Sequence, residues 1–272
     1  MGVVSCLTAL GYRHLTQLPA YQRFLSAKTI RPEPYQSHLS VFFSFSFWVM
    51  AVFLFFSALY FSFANDIFSR ETLTWINLED GFLETLSAVI LIVASGYAVA
   101  VALGLRGTPQ TAARLMHYFL AMLFFAMAGE EISWGQRYIG FDTPDNLQGL
   151  NVQNEVNLHN MFGYVFDHLF ILLFFVWGCV VPLLNRISRF FAQIFGRTGL
   201  PIPGAGLAVG MLFITLTQEQ LTDSLLGQVH RLRVPELREL LSAIAFLLLM
   251  IESYRFLVPK FSAAESVKLP AE

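Results

Sequence analysis

Residues 82–104 read FLETLSAVILIVASGYAVAVALG, a stretch of 23 residues in which Glu84 is the only charged side chain. A helix rises about 1.5 Å per residue, so this stretch is long enough to cross the roughly 30 Å hydrocarbon core of a bilayer. Backbone polar groups inside that core must be satisfied within the segment itself, and a helix achieves this. The stretch therefore predicts a transmembrane helix.

The rest of the chain has the same character. Hydrophobic residues make up 56% of the 272 residues and charged residues only 13%, about half the charged fraction of soluble domains. This composition excludes a soluble enzyme, a nucleic-acid-binding protein and a disordered chain, because each of these needs a charged, solvated exterior. Two cysteines, Cys6 and Cys179, provide neither a disulfide framework nor a cysteine-based zinc site.

Six stretches satisfy or nearly satisfy the requirements of a membrane span, namely 39–64, 82–104, 114–135, 161–184, 200–219 and 236–257. They predict an all-α, polytopic membrane helix bundle with about six transmembrane helices. The six-helix domain covers 39–258, after an N-terminal segment 1–38 and before a tail 259–272. Because no cleavable signal sequence precedes the first span, we expect that span to anchor the chain.

The basic residues predict the orientation, since Lys and Arg are retained on the cytoplasmic side. With the N-terminus inside, 12 of the 17 basic residues lie in cytoplasmic segments, and 15 of the 19 acidic residues lie in the opposite half. An even number of spans returns the C-terminus to the same side. We therefore predict an integral protein of the plasma (inner) membrane with both termini cytoplasmic.

Two connections have a distinctive composition. The extracytoplasmic loop 136–160 is rich in Gly, Asn and Gln, which favours turns and predicts a lid or a surface for a partner protein. The segment 186–197 places three arginines among aromatic and aliphatic residues. That pattern predicts a short amphipathic helix on the inner leaflet, with its arginines near the anionic headgroups of membrane lipids.

Acidic and histidine residues gather at the predicted extracytoplasmic ends of the spans. An ionised carboxylate within the bilayer costs roughly 2.5–3.5 kcal/mol unless it is paired or hydrated. Three kinds of compensation are open: an ion pair with Arg137, protonation of some carboxyl groups, or a divalent metal ion. The candidate metal ligands are Glu84, Glu130, Glu131, Glu155, His159 and Glu239, and further candidates for the site are Asp80, Gln153, Asp167, His168 and Glu219.

Some of these residues also have a structural interpretation. Glu84 and Glu239 lie in first helical turns, where the helix dipole favours acids by about 0.3–1 kcal/mol. They also open similar segments, ETLSAV at 84–89 and ELLSAI at 239–244, which places them at equivalent depths. The neighbouring pair Glu130 and Glu131 is the strongest signal, because two acids at the end of an apolar helix have no packing role.

Three sequence blocks carry a resemblance: EDGFLE at 79–84, GEEISWGQR at 129–137 and NVQNEVNLHN at 151–160. They resemble blocks of a family of polytopic bacterial inner-membrane proteins, a likeness that implies no activity.

A second resemblance is to the CAAX-protease and bacteriocin-processing family of intramembrane glutamate proteases, whose first motif is Glu-Glu-x-x-x-Arg. It implies that Glu130 and Glu131 activate water for peptide hydrolysis, with His159 or His168 at the family's histidine positions. Gly135 stands where that motif has Arg, and Arg137 follows two residues later.

The first functional hypothesis is a membrane-embedded, metal-dependent hydrolase that acts on a lipid or a membrane-inserted peptide. In this hypothesis Glu130 or Glu131 is the general base, Glu155 and His159 are ligands or the acid, and Arg137 clamps an oxyanion or a headgroup.

Two alternatives remain open. The second hypothesis is a non-catalytic subunit of a larger complex that docks a protein partner through the loop 136–160. The third is a cation or proton transporter, which needs acids through the bilayer midplane, whereas only Asp167 lies deeper than the predicted face.

Overall fold

The structure of the protein is a computed structural model that describes residues 17–26, 44–77, 81–140, 143, 164–226 and 232–266. These residues form helices and connecting turns, and no strand occurs in the described ranges. Five helices are long and apolar enough to cross a membrane. The prediction of an all-helical protein is therefore confirmed for the described residues, with five helices long and apolar enough to cross a membrane.

The helices follow the apolar runs of the sequence. In chain order they are α1 Pro19–Ser26, α2 Phe45–Ile67, α3 Arg70–Asn77, α4 Phe82–Gly104, α5 Thr111–Glu131, α6 Gln136–Ile139, α7 Tyr164–Phe175, α8 Val181–Ile187, α9 Arg189–Thr198, α10 Ala205–Leu216, α11 Glu219–Leu226 and α12 Val234–Ser266. A 3-10 turn over Ser133–Gly135 separates α5 from α6, and a π-helical turn over Val176–Val180 joins α7 to α8.

Five of the six predicted spans correspond to these long helices, and the sixth differs. The predicted span 200–219 contains only α10, whose 12 residues rise about 18 Å. Pro201 and Pro203 disfavour helical backbone at the residues before them, so the helix starts only after Gly204. The described residues therefore contain five full-length candidate spans and one shorter apolar helix.

α4 lies at the centre of the bundle, packed between α5 and α12. Its buried face carries small side chains, which allow neighbouring helices to approach closely: Ser87, Ala88, Ala94, Ala98 and Ala102. In the span Val234–Val258, 56% of the most apolar window is buried, against 22% in Phe45–Ile67 and Val165–Ile187. The centre of α12 is therefore enclosed by protein, whereas α2 and the α7–α8 helix present most of their surface outward.

The short helix α10 is hydrogen-bonded to α12 near both of its ends. Before its first residue, the backbone N–H of Gly204 donates to Oε2 of Glu252 at 2.8 Å. After its last residue, Oε1 of Gln218 accepts from Arg238 at 3.4 Å. Gly204 and Gln218 are 14 positions apart in the sequence, and so are their partners Glu252 and Arg238. α10 and α12 therefore run antiparallel over the same length.

Glu252 also fixes α2. Its Oε1 accepts a hydrogen bond from the Ser46 hydroxyl at 2.6 Å, one residue after the start of α2. One buried carboxyl group thus joins α2, α10 and α12 at the end of the bundle that lies opposite the start of α12.

The predicted amphipathic segment 186–197 is helical through most of its length, as the end of α8 and α9. The Phe190 ring stacks on Tyr21 of α1 with centroids 5.8 Å apart, and the Arg197 guanidinium lies 4.1 Å from the centre of the Phe24 ring. The aromatic face of α9 therefore packs against α1.

Candidate functional site

The chain makes an unusual turn directly after Glu131. Ser133, Trp134 and Gly135 have φ values of 45°, 53° and 76°, which places three successive residues in the left-handed region. Only Gly adopts this region without a steric penalty, and other residues found there often mark functional sites. The turn stops α5 abruptly and leaves Glu131 as its last residue.

The turn folds Trp134 back over the last residues of α5. The Trp134 indole N–H donates to Oε1 of Glu130 at 2.8 Å. A Cβ at Gly129 would lie 2.8 Å from the Trp134 ring, so the close contact requires glycine. Gly129 and Glu130 of the GEEISWG motif therefore hold the indole in place.

The neighbouring Glu131 points elsewhere, because successive helical residues are about 100° apart around the axis. Its carboxyl group interacts electrostatically with Glu236 and Glu239 of α12. Its Oε2 is buried, and no donor from the described residues reaches it. The structure thus gives the two adjacent acids different surroundings.

Four carboxyl groups from three helices converge at this end of the bundle. Glu239 lies within electrostatic range of Glu131 at the end of α5, of Glu84 in the first turn of α4 and of Glu236 in the first turn of α12. We call these four residues the glutamate cluster. Among the described helices, α4 packs closely against both α5 and α12, so the cluster lies at the end of this central helix and its two neighbours.

The sequence repeat that opens α4 and α12 has a structural counterpart. Ser87 and Ser242, each three residues after a cluster glutamate, are buried and donate to the carbonyl oxygen four residues earlier, at 3.0 and 2.8 Å. The alanines that follow them are also buried. These small side chains let α4 and α12 approach and bring Glu84 near Glu239.

A buried arginine lies next to the cluster. Arg238 is only 3% exposed, and its guanidinium forms an ion pair with Asp167 of α7 as well as the hydrogen bond to Gln218. Its Nε is buried without an acceptor from the described residues. Arg238 and Asp167 therefore connect α12 to α7 and stabilise each other's charge inside the bundle.

The sequence patterns do not predict the roles of Arg238 and Glu236, because they favour Arg137 as the cation nearest to Glu130 and Glu131 along the chain. A signal was present in the segment PELREL, where Glu236 and Glu239 are three residues apart and so share a helix face. Arg238 lies between them and faces another direction, toward Asp167.

The predicted site residues divide into four groups. Glu84, Glu131 and Glu239 come together, whereas Glu130 contacts Trp134 and Asp167 pairs with Arg238. His168 and Glu219 are exposed on α7 and α11. The remaining predicted site residues lie outside the described residues: Asp80, Gln153, Glu155 and His159. The same is true of most of the loop 136–160 and of the side chain of Arg137.

The described part of the chain contains no ready-made metal cage, because no three of its His, Cys, Asp or Glu side chains are arranged to hold an ion. The glutamate cluster nevertheless supplies an all-oxygen donor set, and hard cations such as Mg²⁺, Mn²⁺ and Ca²⁺ prefer oxygen ligands.

No protein-family model, curated protein or solved structure matches the chain. The glutamate cluster and its surroundings are therefore the basis for assigning a function.

Proposed function

We propose that the protein is a hydrolase embedded in the plasma (inner) membrane, in which the glutamate cluster binds a divalent cation and activates water at the extracytoplasmic face. The substrate would be a lipid or a membrane-inserted peptide. The observation that supports this proposal most directly is the buried Oε2 of Glu131, whose carboxyl group lies within electrostatic range of Glu236 and Glu239 and whose Oε2 receives no hydrogen bond from the described residues.

Charge supports cation binding. Four acids lie together at the end of the apolar bundle, whereas of the adjacent cations Arg238 pairs with Asp167 and Arg233 pairs with Glu236. Carboxylates of like charge that are gathered in such surroundings repel one another and cost several kcal/mol together. A bound cation would relieve this repulsion, with Glu131 and Glu239 as the principal ligands.

The reaction follows from the same carboxyl groups. When bound, the cation would polarise the substrate oxygen at which the bond breaks. Glu131 or a neighbouring cluster glutamate would accept a proton from the attacking water and return it to the leaving oxygen as the bond to that oxygen breaks, since a carboxylate within hydrogen-bond reach of water can act as a general base and its protonated form as a general acid. The Arg238–Asp167 pair would keep α7 and α12 in register beside the reacting groups.

We also propose that α10 crosses the membrane, which gives six crossings and places both termini in the cytoplasm. Its hydrogen bonds to Glu252 at one end and Arg238 at the other support this arrangement. The charge distribution of the sequence supports the orientation, with the glutamate cluster outside.

The transporter alternative has less support. Between Glu239 and Glu252, Ser242 is the only polar residue of α12. Its hydroxyl donates to the backbone of its own helix. α12 therefore offers no chain of polar side chains along which an ion or a proton could pass. Docking of a protein partner through the loop 136–160 stays a prediction.

The proposal is tested with protein purified in detergent and kept in a phosphate-free buffer. Metal content after equilibration with Mn²⁺ and desalting is measured for the wild type, E131Q, E239Q and E219Q, and release of products from a panel of lipids and membrane peptides is followed by mass spectrometry. We expect one bound Mn²⁺ and product release in the wild type and in E219Q, whose exposed acid lies outside the cluster. E131Q and E239Q should lose both. Equal Mn²⁺ retention and turnover in all four proteins would falsify the proposal.

A further inference from the structure

A pocket of about 460 Å³ is lined in part by Arg233, three residues before the cluster residue Glu236. The end of α2, the length of α3 and the residue before α12 form its walls. Two arginines line it, Arg70 at the start of α3 and Arg233 just before α12, together with the polar side chains of Asn65, Thr74 and Asn77. The pocket therefore brings two guanidinium groups to one space, while the Asn77 amide and the Thr74 hydroxyl donate to neighbouring residues of the pocket wall or behind it.

Among the described lining residues the charged side chains are two arginines, Arg70 and Arg233, and Arg233 is paired with Glu236. No acidic residue is among these described lining residues, although Asp66 and Glu71 adjoin the pocket in sequence and are exposed. Within the described residues no carboxylate forms an ion pair with Arg70. A guanidinium carries five N–H donors in a planar fork that matches the oxygens of a phosphate. Two such groups in one pocket favour a phosphate as the ligand.

Glu236 connects the pocket to the glutamate cluster. Its Oε1 accepts from Nη1 of Arg233 at 3.2 Å, and its charge acts on both Glu131 and Glu239. A ligand that contacts Arg233 would therefore lie next to the carboxyl groups of the cluster.

The surroundings of the pocket match the depth of lipid headgroups. Trp75 of α3 is 62% exposed and its ring lies 5.5 Å from that of Phe82, at the start of α4. Exposed tryptophans are typical of the membrane–water interface, where phospholipid phosphates also lie. Phe68 and Leu73 add an apolar wall for the part of a lipid next to its phosphate.

We infer that the Arg70–Arg233 pocket binds the phosphate of an anionic phospholipid. The inference deepens the proposed function, on which its second half rests: the hydrolase acts on a phospholipid whose headgroup this pocket holds beside the glutamate cluster. The arginines would position the phosphate, and the cluster would act on a bond near it.

Binding is measured separately from turnover. The full-length protein in maltoside micelles is titrated by calorimetry with short-chain phosphatidylglycerol, with the matching diacylglycerol and with inorganic phosphate. We expect phosphatidylglycerol to bind best and the double variant R70Q/R233Q to weaken it roughly tenfold or more, because two charge-assisted contacts are lost. R106Q, which changes an exposed arginine outside the pocket, should bind like the wild type.

Three further results decide the inference. R70K/R233K should bind with intermediate affinity, because it keeps the charge and loses the planar fork. E131Q should bind phosphatidylglycerol normally, so a failure of hydrolysis leaves the pocket intact as a lipid site. Unchanged binding in a folded R70Q/R233Q variant, or equal affinity for diacylglycerol, would overturn the inference, and equal affinity for inorganic phosphate would overturn its lipid part.

Discussion

At the scale of single residues, the motif GEEISWG divides its roles among neighbours. Glu130 accepts the Trp134 indole N–H, Gly129 makes room for the ring, and Glu131 alone joins the glutamate cluster. Adjacent acids on a helix face different directions, so one of them can fix a turn while the other enters the site.

The contact between Gly129 and Trp134 leads to a first prediction. G129A should displace the indole and destabilise the turn by about 1–3 kcal/mol, because the added Cβ overlaps the ring. G96A is the matched control, since a Cβ at Gly96 meets no atom within 4 Å. Tryptophan fluorescence and thermal unfolding in detergent measure both effects. If G129A and G96A behave alike, the indole does not pack on this helix.

The Arg238–Asp167 pair leads to a second prediction. R238Q should destabilise the protein by about 3 kcal/mol, because it leaves Asp167 without its cation inside the bundle. D167N alone should leave the buried Arg238 unpaired, and the double variant should recover much of either loss. Thermal unfolding of all four proteins forms a double-mutant cycle. Additive effects would mean that the two side chains do not interact.

At the scale of elements, α10 shows how a short helix is held in a membrane bundle. Its N-terminal end is fixed by Glu252 and its C-terminal end by the Gln218–Arg238 contact. Close packing supports it between these ends: a Cβ at Gly210 would lie 2.7 Å from Met50 of α2, and a Cβ at Gly178 would lie 2.8 Å from Met211. Polar contacts at its ends and glycine contacts along its length thus compensate for the small number of turns.

Glu252 leads to a prediction at this scale. E252A removes the acceptor for both Ser46 and Gly204 and should destabilise the protein by about 2–4 kcal/mol, since a buried hydroxyl and a partly buried backbone N–H lose their partner. S46A should cost about 1 kcal/mol, because it removes one hydrogen bond and leaves the Gly204 contact. E219A, an exposed acid, serves as control. Equal unfolding temperatures for E252A and E219A would show that Glu252 does not join the three helices.

The sequence patterns predict the positions of the helices better than they predict the contacts between helices. The apolar run 82–104 specifies a membrane helix by itself, because length and hydropathy are local properties, and α4 occupies those residues. The start of α10 depended on Pro201 and Pro203, whose effect a mean hydropathy does not register. A prediction from mean hydropathy alone therefore overestimates the length of a helix that is preceded by prolines.

The candidate site, too, could be predicted only in part from the sequence. Glu84, Glu131 and Glu239 could be named from sequence because acids at helix ends in a membrane are unusual in themselves. The pairing of Arg238 with Asp167 could not, because it depends on how α7 and α12 are rotated about their axes. A sequence indicates which charged side chains cost free energy within a membrane. Helix packing determines which partner each of these side chains contacts.

At the scale of the whole molecule, the orientation is open to a direct test. In a variant with both cysteines replaced by serine, E71C at the start of α3 should react with a membrane-impermeant maleimide in intact cells. R106C, in the turn between α4 and α5, should react only after the cells are opened. Both positions are exposed and lie at opposite ends of the bundle. The reverse labelling pattern would place the glutamate cluster in the cytoplasm.

The antiparallel pair of α10 and α12 sets a dimension for the surrounding bilayer. α10 has 12 residues, about 18 Å along its axis, and exposes Leu212, Phe213 and Leu216, whereas an average hydrocarbon core measures about 30 Å. Lipids beside α10 would have to shorten to match this distance. In the proposed orientation, such local thinning would bring the outer leaflet closer to the glutamate cluster. A lipid ester would then reach these carboxyl groups without leaving its monolayer.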